Sequence, residues 1–521
     1  MENILHYSTA AYGIFFTMTG VVMLAADLIR PMERAALLLA IAMVVFGLVC
    51  LILNRPLSML YNGSSVLKII GGFFFKNAEN GVEGKSVKAN YEFFAMLGLF
   101  FGLVGTFLPF DYFIMGFGGF IGAVLVFYKV ELGVYALAFL LPILPTKFIL
   151  AISVLTVFSY LFKVVFTGGQ KISISLIDAF VAGFLLILLY SVVISYIPKS
   201  SLVVAAVYAL FILVYFTFKN VINTKDKLYT VLSILCISGL IVSVYGIYQK
   251  YSGSYVSAEA WLDTEMFESM TGRIYSTLDN PNVLGEYLLF VIPMAFGMLY
   301  YMEKPLYKLV SVGILAAACV CMILTLSRGA WLGLILGLGV FVFLKDRRLL
   351  WLVLIALLIL PLALPPSILE RFTTIGDMTD GSTSYRVNIW MASLIMLKTF
   401  WPVGIGLSTD VFVFVYQKFA FNAVHAPHSH NLYLQLLIDL GIGGFIVFVL
   451  VLAGYFKGLF LSVGEKSKRI SAAAAALCAG MAGYLLQGMT DNVFYNYRIV
   501  LYFWVIVAIG GGLLQLKEKR S

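Results

Sequence analysis

Charge is what this sequence lacks. Only 12% of its 521 residues are Asp, Glu, Lys or Arg, against about 25% in soluble domains. Hydrophobic residues make up 62%, and the mean hydropathy is +0.99. A water-soluble chain of this composition would have more apolar surface than its interior could bury. A soluble enzyme, a nucleic-acid binder and a disordered tail are therefore excluded as accounts of the whole. Cysteine is also scarce: Cys50, Cys236, Cys319, Cys321 and Cys478 all lie inside apolar runs. There they act as small hydrophobes and support neither a disulfide framework nor a zinc site. Internal repeats and low-complexity segments are missing. Met1-Glu2-Asn3-Ile4 carries no basic lead-in, so the first apolar run is expected to be a retained helix and not a cleaved signal.

What is present is apolar sequence in lengths that span a bilayer, about 20 residues each. Runs fall near 8–29, 34–53, 91–108, 112–128, 132–145, 148–166, 174–197, 201–218, 227–249, 283–302, 307–326, 329–345, 348–366, 431–456, 470–489 and 497–517. Pro142 and Pro145 interrupt one pair, which is open to being half-helices. The runs are continuously apolar and do not alternate, which favours helices over a barrel. The expectation is an all-α polytopic integral membrane protein of about 12–16 transmembrane helices. Its segments divide into N-terminal spans over 1–250, further spans over 251–366, a long loop over 367–430 and C-terminal spans over 431–521.

The formal net charge of +9 fits a membrane protein whose Lys and Arg gather in cytoplasmic loops. Segments 54–90, 303–308, 345–348 and 457–469 and the tail are each net positive, whereas 250–282 is −3 and 367–430 and 490–498 are neutral. The positive-inside rule then places both termini in the cytoplasm and the second set outside. Within the long outer loop, Tyr385 to Phe400 spaces Val387, Trp390, Met391, Leu394 and Leu397 for one face of an amphipathic helix. Ser64 to Phe75 reads equally as an interfacial helix or as plain loop.

Polar groups at membrane depth are expensive, so their positions are informative. Ser327-Arg328-Gly329 sits between two apolar runs, which leaves Arg328 at the outer mouth of two helices, for phosphate binding or for snorkelling to headgroups. Three of the four histidines crowd into His425-Ala426-Pro427-His428-Ser429-His430. This cluster reads as a metal site, as bland loop or, the favoured account, as the source of one general base. Arg273, in a segment ending Asn280-Pro281-Asn282, joins Arg386, Asp491 and Arg498 on the same side. Asn-Pro-Asn also serves simply as a turn and helix N-cap. Arginine forks bind phosphate oxygens bidentately, so several arginines and a histidine on one face point to an anionic, membrane-tethered substrate.

Ser327-Arg328-Gly329-Ala330-Trp331-Leu332-Gly333 resembles the signature of the O-antigen ligase/polymerase superfamily (WaaL and Wzy proteins, the Wzy_C domain). Arg386 with Trp390, and Trp401-Pro402-Val403-Gly404-Ile405-Gly406, are similar to it too. The tightest element is His430-Asn431, then nine intervening residues, Gly441, two more residues and Gly444. The likeness covers roughly 270–450. It implies a fold like the C-type glycosyltransferases and transfer of a glycan from an undecaprenyl-diphosphate carrier to an acceptor glycan, lipid or protein at the outer face of a bacterial cytoplasmic membrane. Neither nucleotide sugar nor metal nor other cofactor is implied. The family's arginines and histidine map onto Arg328, Arg386 and His430, while His425 and His428 have no counterpart in the motif. Arg328 and Arg386, with Arg273, are expected to hold the diphosphate and His430 to deprotonate the acceptor in an inverting attack. Asn431, Asn282, Asp491 and Arg498 are expected in support, and Gly441 and Gly444 either to let a neighbouring helix fix His430 or merely to pack. A polymerase, or a transporter of the bicarbonate or lipid-linked glycan flippase kind, remains the alternative.

Overall fold

The computed structural model describes residues 8–55, 89–170, 172–253, 272–351, 355, 381–421 and 424–518. Their regular structure is helical, and thirteen helices are long and apolar enough to cross a membrane. That number falls within the 12 to 16 expected. The proposed interfacial helix at Ser64 to Phe75 and most of the run 348–366 lie outside the described residues. The chain forms two compact units, Met1–Leu132 and Gly133–Ser521.

In the first unit, α1 (Thr9–Asp27), α2 (Arg34–Leu53) and α3 (Tyr91–Phe107) approach one another closely, and α4 (Phe110–Tyr128) follows. A Cβ placed on Gly13 would stand 2.7 Å from the Gly47 carbonyl. With lipid as apolar as leucine, such close backbone packing is what holds helices together in a bilayer.

The second unit begins within α5 (Val130–Leu140) and continues with α6 (Thr146–Phe162), α7 (Leu176–Val193), α8 (Pro198–Val221) and α9 (Lys225–Ser252). The Pro142/Pro145 interruption does separate a short α5 from α6. Next come α10 (Pro281–Tyr301), α11 (Pro305–Leu324) and α12 (Arg328–Lys345). After them lie α13 (Gly381–Phe400) and the short α14 (Thr409–Tyr416). The last three are α15 (Leu432–Val463), α16 (Lys468–Gln487) and α17 (Tyr497–Glu518). The centre is built from α10, α16 and α17; Trp504 and Tyr502 are fully enclosed.

The unit has two chemically distinct ends. At one, basic groups tie helices together: Lys345 Nζ donates to Ser471 Oγ at 2.5 Å, and Arg469 lies over the rings of Tyr229 and Tyr301. There too the fully buried Lys219 pairs with Asp178 and donates to Ser175 Oγ and the Ser173 carbonyl. At the other end α10, α12, α15 and α17 all begin. Helix N-termini present unpaired amides and a partial positive charge, so four of them at one end make a place suited to anions.

Glycine governs how α12 reaches that end. Gly333 packs on α16 so tightly that an added Cβ would lie 2.6 Å from the Gly483 carbonyl. Gly337, one turn on, meets Ala479 in the same way, and Gly329, one turn before, faces Gln487 and Thr490. This stripe at intervals of four seats Arg328 beside the loop that follows α16.

α13 confirms a helix where amphipathic sequence predicted one, but with a different buried face. Ile389, Ala392 and Met396 are enclosed, together with Ile405, Val411, Phe412 and Ile438. Met391 and Leu394, on the apolar face that the spacing picked out, are exposed. The segment is apolar on nearly every side, so spacing alone left the face undetermined.

Candidate active site

His430 ends the loop Pro427–His430, with φ +48, a left-handed conformation rare for a side-chain-bearing residue. Asn431 then caps α15, its Oδ1 accepting from the amides of Tyr433 and Leu434 at 2.9 and 3.0 Å. Its amide group donates to the Met489 carbonyl, 2.8 Å away. The ring of His430 is thereby presented at the helix entrance, its Nδ1 3.1 Å from Asp491 Oδ1. With a proton on Nδ1 donated to Asp491, the neutral ring carries its free lone pair on Nε2, the tautomer a general base requires.

Asp491 lies between α16 and α17 and is itself oriented. Asn282 Nδ2 donates to Asp491 Oδ2 at 2.9 Å, and Arg273 donates to Asn282 Oδ1 at 2.8 Å. Arg273 Nε also donates to the Thr325 carbonyl at 2.8 Å, in the three-residue turn before α12. Trp331 fastens the same turn by donating to the Met322 carbonyl at 3.0 Å. Burial alone would raise the Asp491 carboxyl, but the hydrogen bond and charge of His430, and the charges of Arg386 and His428, hold it well below the usual carboxylate range. Arg386 enters from α13, which lies over the histidine loop. There Trp390 Nε1 donates to the His430 carbonyl at 3.2 Å and Tyr385 OH to that of His425 at 2.6 Å. The Tyr385 ring meets the His430 ring edge-on at 5.8 Å.

Arg273, Asn282, Asp491 and His430 are thus one hydrogen-bonded series, with Arg386 acting on it electrostatically. Arg328 opens α12 immediately beyond the turn that Arg273 holds. Arg498 is at the same end but has other work. It donates to Asp279 Oδ2 and to the Thr277 carbonyl, both at 2.6 Å, and to the Leu144 carbonyl at 3.4 Å. Thr277 Oγ1 donates to the Pro142 carbonyl. These contacts satisfy the backbone freed by the Pro142/Pro145 break, and they make Arg498 a clamp on the scaffold.

His428 is the residue whose importance the sequence hid. Its ring lies 4.1 Å from that of His430 and 4.4 Å from that of Tyr495. Histidines 428 and 430 and Asp491 bring ligand-type atoms within 4.8 Å of one another, a spacing that suits a cation. Their present bonding is directed elsewhere, however: His428 Nδ1 accepts the His430 amide at 3.2 Å. The neutral ring then carries its proton on Nε2 and has no lone pair to offer a metal.

Burial, then the charge of His430 and to a lesser degree that of Arg386, pushes the His428 imidazole down to about 3, against an opposing pull from Asp491. An unfolded histidine takes up a proton near 6.5. The contribution of His428 to stability is therefore full above about pH 6.5 and falls as pH drops from there towards 3, because unfolding binds a proton at this residue over that interval. Asp491, ionised in the fold, adds a further loss below about pH 4. His428→Asn keeps an acceptor for the His430 amide, and the difference in thermal midpoint between the wild type and this variant should be constant down to about pH 6.5 and turn against the wild type below it.

Gly441 proves to be a break in α15, with φ +66, and not part of a smooth glycine stripe. The segment Trp401–Gly406 fills the break. Ile405 and Gly406 donate to the carbonyls of Ile438 and Asp439, and Ile442 donates to that of Trp401. A membrane helix tolerates interruption only where its backbone is satisfied in this way. Gly444 does mark a close approach, to Ile187 of α7. A Cβ on Gly441 would stand 2.6 and 2.8 Å from the Val403 carbon and the Pro402 carbonyl. Gly441→Ala therefore adds a backbone clash to a conformational cost of about 1–3 kcal/mol. A clear drop in thermal midpoint is expected by scanning fluorimetry.

Residues 312–449 match the family model Wzy_C, O-Antigen ligase. This bears out the resemblance carried by the Ser327–Gly333 and His430–Gly444 motifs. The matched stretch contains Arg328, Arg386, His430, Gly441 and Gly444; Arg273, Asn282, Asp491 and Arg498 lie outside it. No curated protein matches the chain.

Proposed function

From that family match and this geometry, we propose that the protein transfers a glycan from an undecaprenyl-diphosphate carrier to an acceptor hydroxyl at the extracytoplasmic face of the membrane. The observation that supports this best is the His430–Asp491–Asn282–Arg273 series at the end where four helices begin. His430 Nε2 takes the proton of the acceptor hydroxyl as its oxygen attacks the anomeric carbon. Asp491 holds the ring and stabilises the imidazolium that forms. Arg328, at the first position of α12, and Arg386 grip the diphosphate, with the helix dipole adding to their charge. Arg273 orients Asn282 and the turn that carries Arg328. The carbon–oxygen bond to the carrier breaks as the new glycosidic bond forms, the diphosphate leaves with the electron pair, and the anomeric centre inverts.

Loop charge supports the sidedness: 303–308, 345–348 and 457–469, at the opposite end, are each net positive, whereas 490–498 at this end is neutral, as the positive-inside rule expects. A transporter would gather its polar groups near mid-membrane, whereas these sit at helix entrances. In the source cell, deletion of the gene should leave lipid-linked glycan accumulating on the outer leaflet, with the acceptor unextended. Accumulation on the cytoplasmic leaflet would point to a flippase instead.

A further inference from the structure

The second unit contains a cleft lined in part by His428, with about 620 Å³ of empty space when its open mouth is included. Its floor is apolar, with Leu188 of α7, Val204 of α8 and Leu436 of α15. Its polar groups include Ser408, Thr409, Gln435, Asp439, Asn492 and the imidazole of His428, and Tyr495 and Tyr497 stand beside them.

Lys and Arg are missing from this lining, and Asp439 contributes a carboxyl. An anion would find no cationic partner there, so the diphosphate belongs to the arginine side. Apolar surface and aromatic rings combined with hydroxyl, amide and carboxyl groups match a sugar ring, which has C–H faces and a rim of hydroxyls. Ser408, at φ +115, holds a backbone conformation that side-chain-bearing residues seldom adopt; strain of this kind gathers at ligand sites. Gln435 is fixed from both sides, accepting from the Ser429 amide at 2.7 Å and donating to Asp439 Oδ1 at 2.9 Å. His428 both lines the cleft and touches the His430 ring.

We propose that this cleft is the subsite for an uncharged sugar ring of the acceptor, seated between Tyr495, Tyr497, Gln435 and Asp439. The proposal rests on the transfer reaction above and adds to it the side from which the acceptor enters. Donor and acceptor are separated by chemistry: arginines and helix N-termini hold the anion, while neutral and aromatic groups hold the ring. The histidine pair stands where the two meet.

The test uses the full chain in phosphatidylcholine nanodiscs. Thr409 is exposed at the cleft mouth on the first turn of α14, so Thr409→Trp obstructs the cleft without disturbing a core. With an undecaprenyl-diphosphate-linked glycan and methyl glycosides of glucose, galactose and N-acetylglucosamine as acceptors, it should raise the acceptor KM by about tenfold, the effect of about 1.4 kcal/mol. Its kcat and the acceptor-free hydrolysis of donor should stay at wild-type values. An unchanged KM, or an equal loss of donor hydrolysis, overturns the proposal. A second readout needs no turnover: a fluorophore on Thr409→Cys should respond saturably to the methyl glycosides and not to inorganic diphosphate. Response to diphosphate alone, or to neither, also overturns it. Glycoside binding with no transfer from any donor would sink the transfer reaction and leave the sugar cleft standing.

Discussion

His430→Ala should insert and fold like the wild type and transfer glycan about 10²–10⁴ times more slowly, the contribution of a well-placed general base. The ring meets Asp491, His428 and Tyr385, but its own side chain is only partly buried and fills no core position. Its removal costs chemistry more than packing. The backbone there is left-handed, a conformation that asparagine accepts better than alanine. His430→Asn is therefore the cleaner companion, and it should be equally slow. Donor binding, read by labelled carrier retained on the protein, should survive in both variants because the arginines remain. Asp491→Asn probes the same device from the other side. An amide can donate to Nδ1, which moves the imidazole proton to Nε2 and leaves no base facing the acceptor. A loss comparable to that of the histidine variants, with the donor KM little changed, is expected. Full activity in His430→Asn would remove the histidine from the mechanism.

Arg328→Lys should lower kcat by about 10²–10³, the usual cost of losing one fixed donor at a developing charge. Lysine keeps the positive charge but supplies a single flexible ammonium where a planar fork can grip two phosphate oxygens at once. The position sharpens this expectation. Arg328 is the first residue of α12, its turn is fastened by Trp331 and Arg273, and the helix is pinned to α16 through Gly333. A side chain whose only task was to reach lipid headgroups would need no such framing, and its lysine variant would retain full activity. The split between kcat and donor KM separates transition-state stabilisation from simple capture of the carrier.

Which parts of this arrangement were legible in the sequence follows from how local each signal is. The spans were legible because twenty apolar residues in a row have few other uses, and Pro142 and Pro145 disclosed their own break. Arg328 was legible because a charged residue between two apolar runs, with three residues to turn in, has nowhere to go but the end of the bundle. The buried face of α13 was not. Between Val387 and Leu397 most positions are apolar, so spacing selects no stripe, and contacts with α14 and Ile438 decide that Ile389, Ala392 and Met396 go inside. Gly441 and Gly444 likewise fit a smooth glycine stripe or a broken helix equally well. The break exists because Trp401–Gly406, a segment 35 residues or more upstream, supplies its backbone hydrogen bonds.

The pairing of Asn282 with Asp491 joins positions 209 apart, and that of Arg498 with Asp279 positions 219 apart. Residue type alone grouped Arg498 with the phosphate binders; only its partners reveal it as a clamp. His428 was undervalued because the motif contains one histidine, although a second imidazole two residues away in a tight loop can press against the first, as this one does.

The central claim is that these residues perform chemistry and do not merely move a substrate. Nanodiscs decide it, because they enclose no second compartment and allow no gradient. The purified chain is given undecaprenyl-diphosphate-linked glycan carrying a labelled sugar, together with acceptor glycosides, and the lipid and water-soluble fractions are followed. The account predicts label leaving the lipid fraction, an acceptor product of inverted anomeric configuration and release of undecaprenyl diphosphate, all about 10²–10⁴ times slower in His430→Asn. Label that stays wholly on the carrier in the wild type, across the acceptor panel and with no hydrolysis, would contradict it.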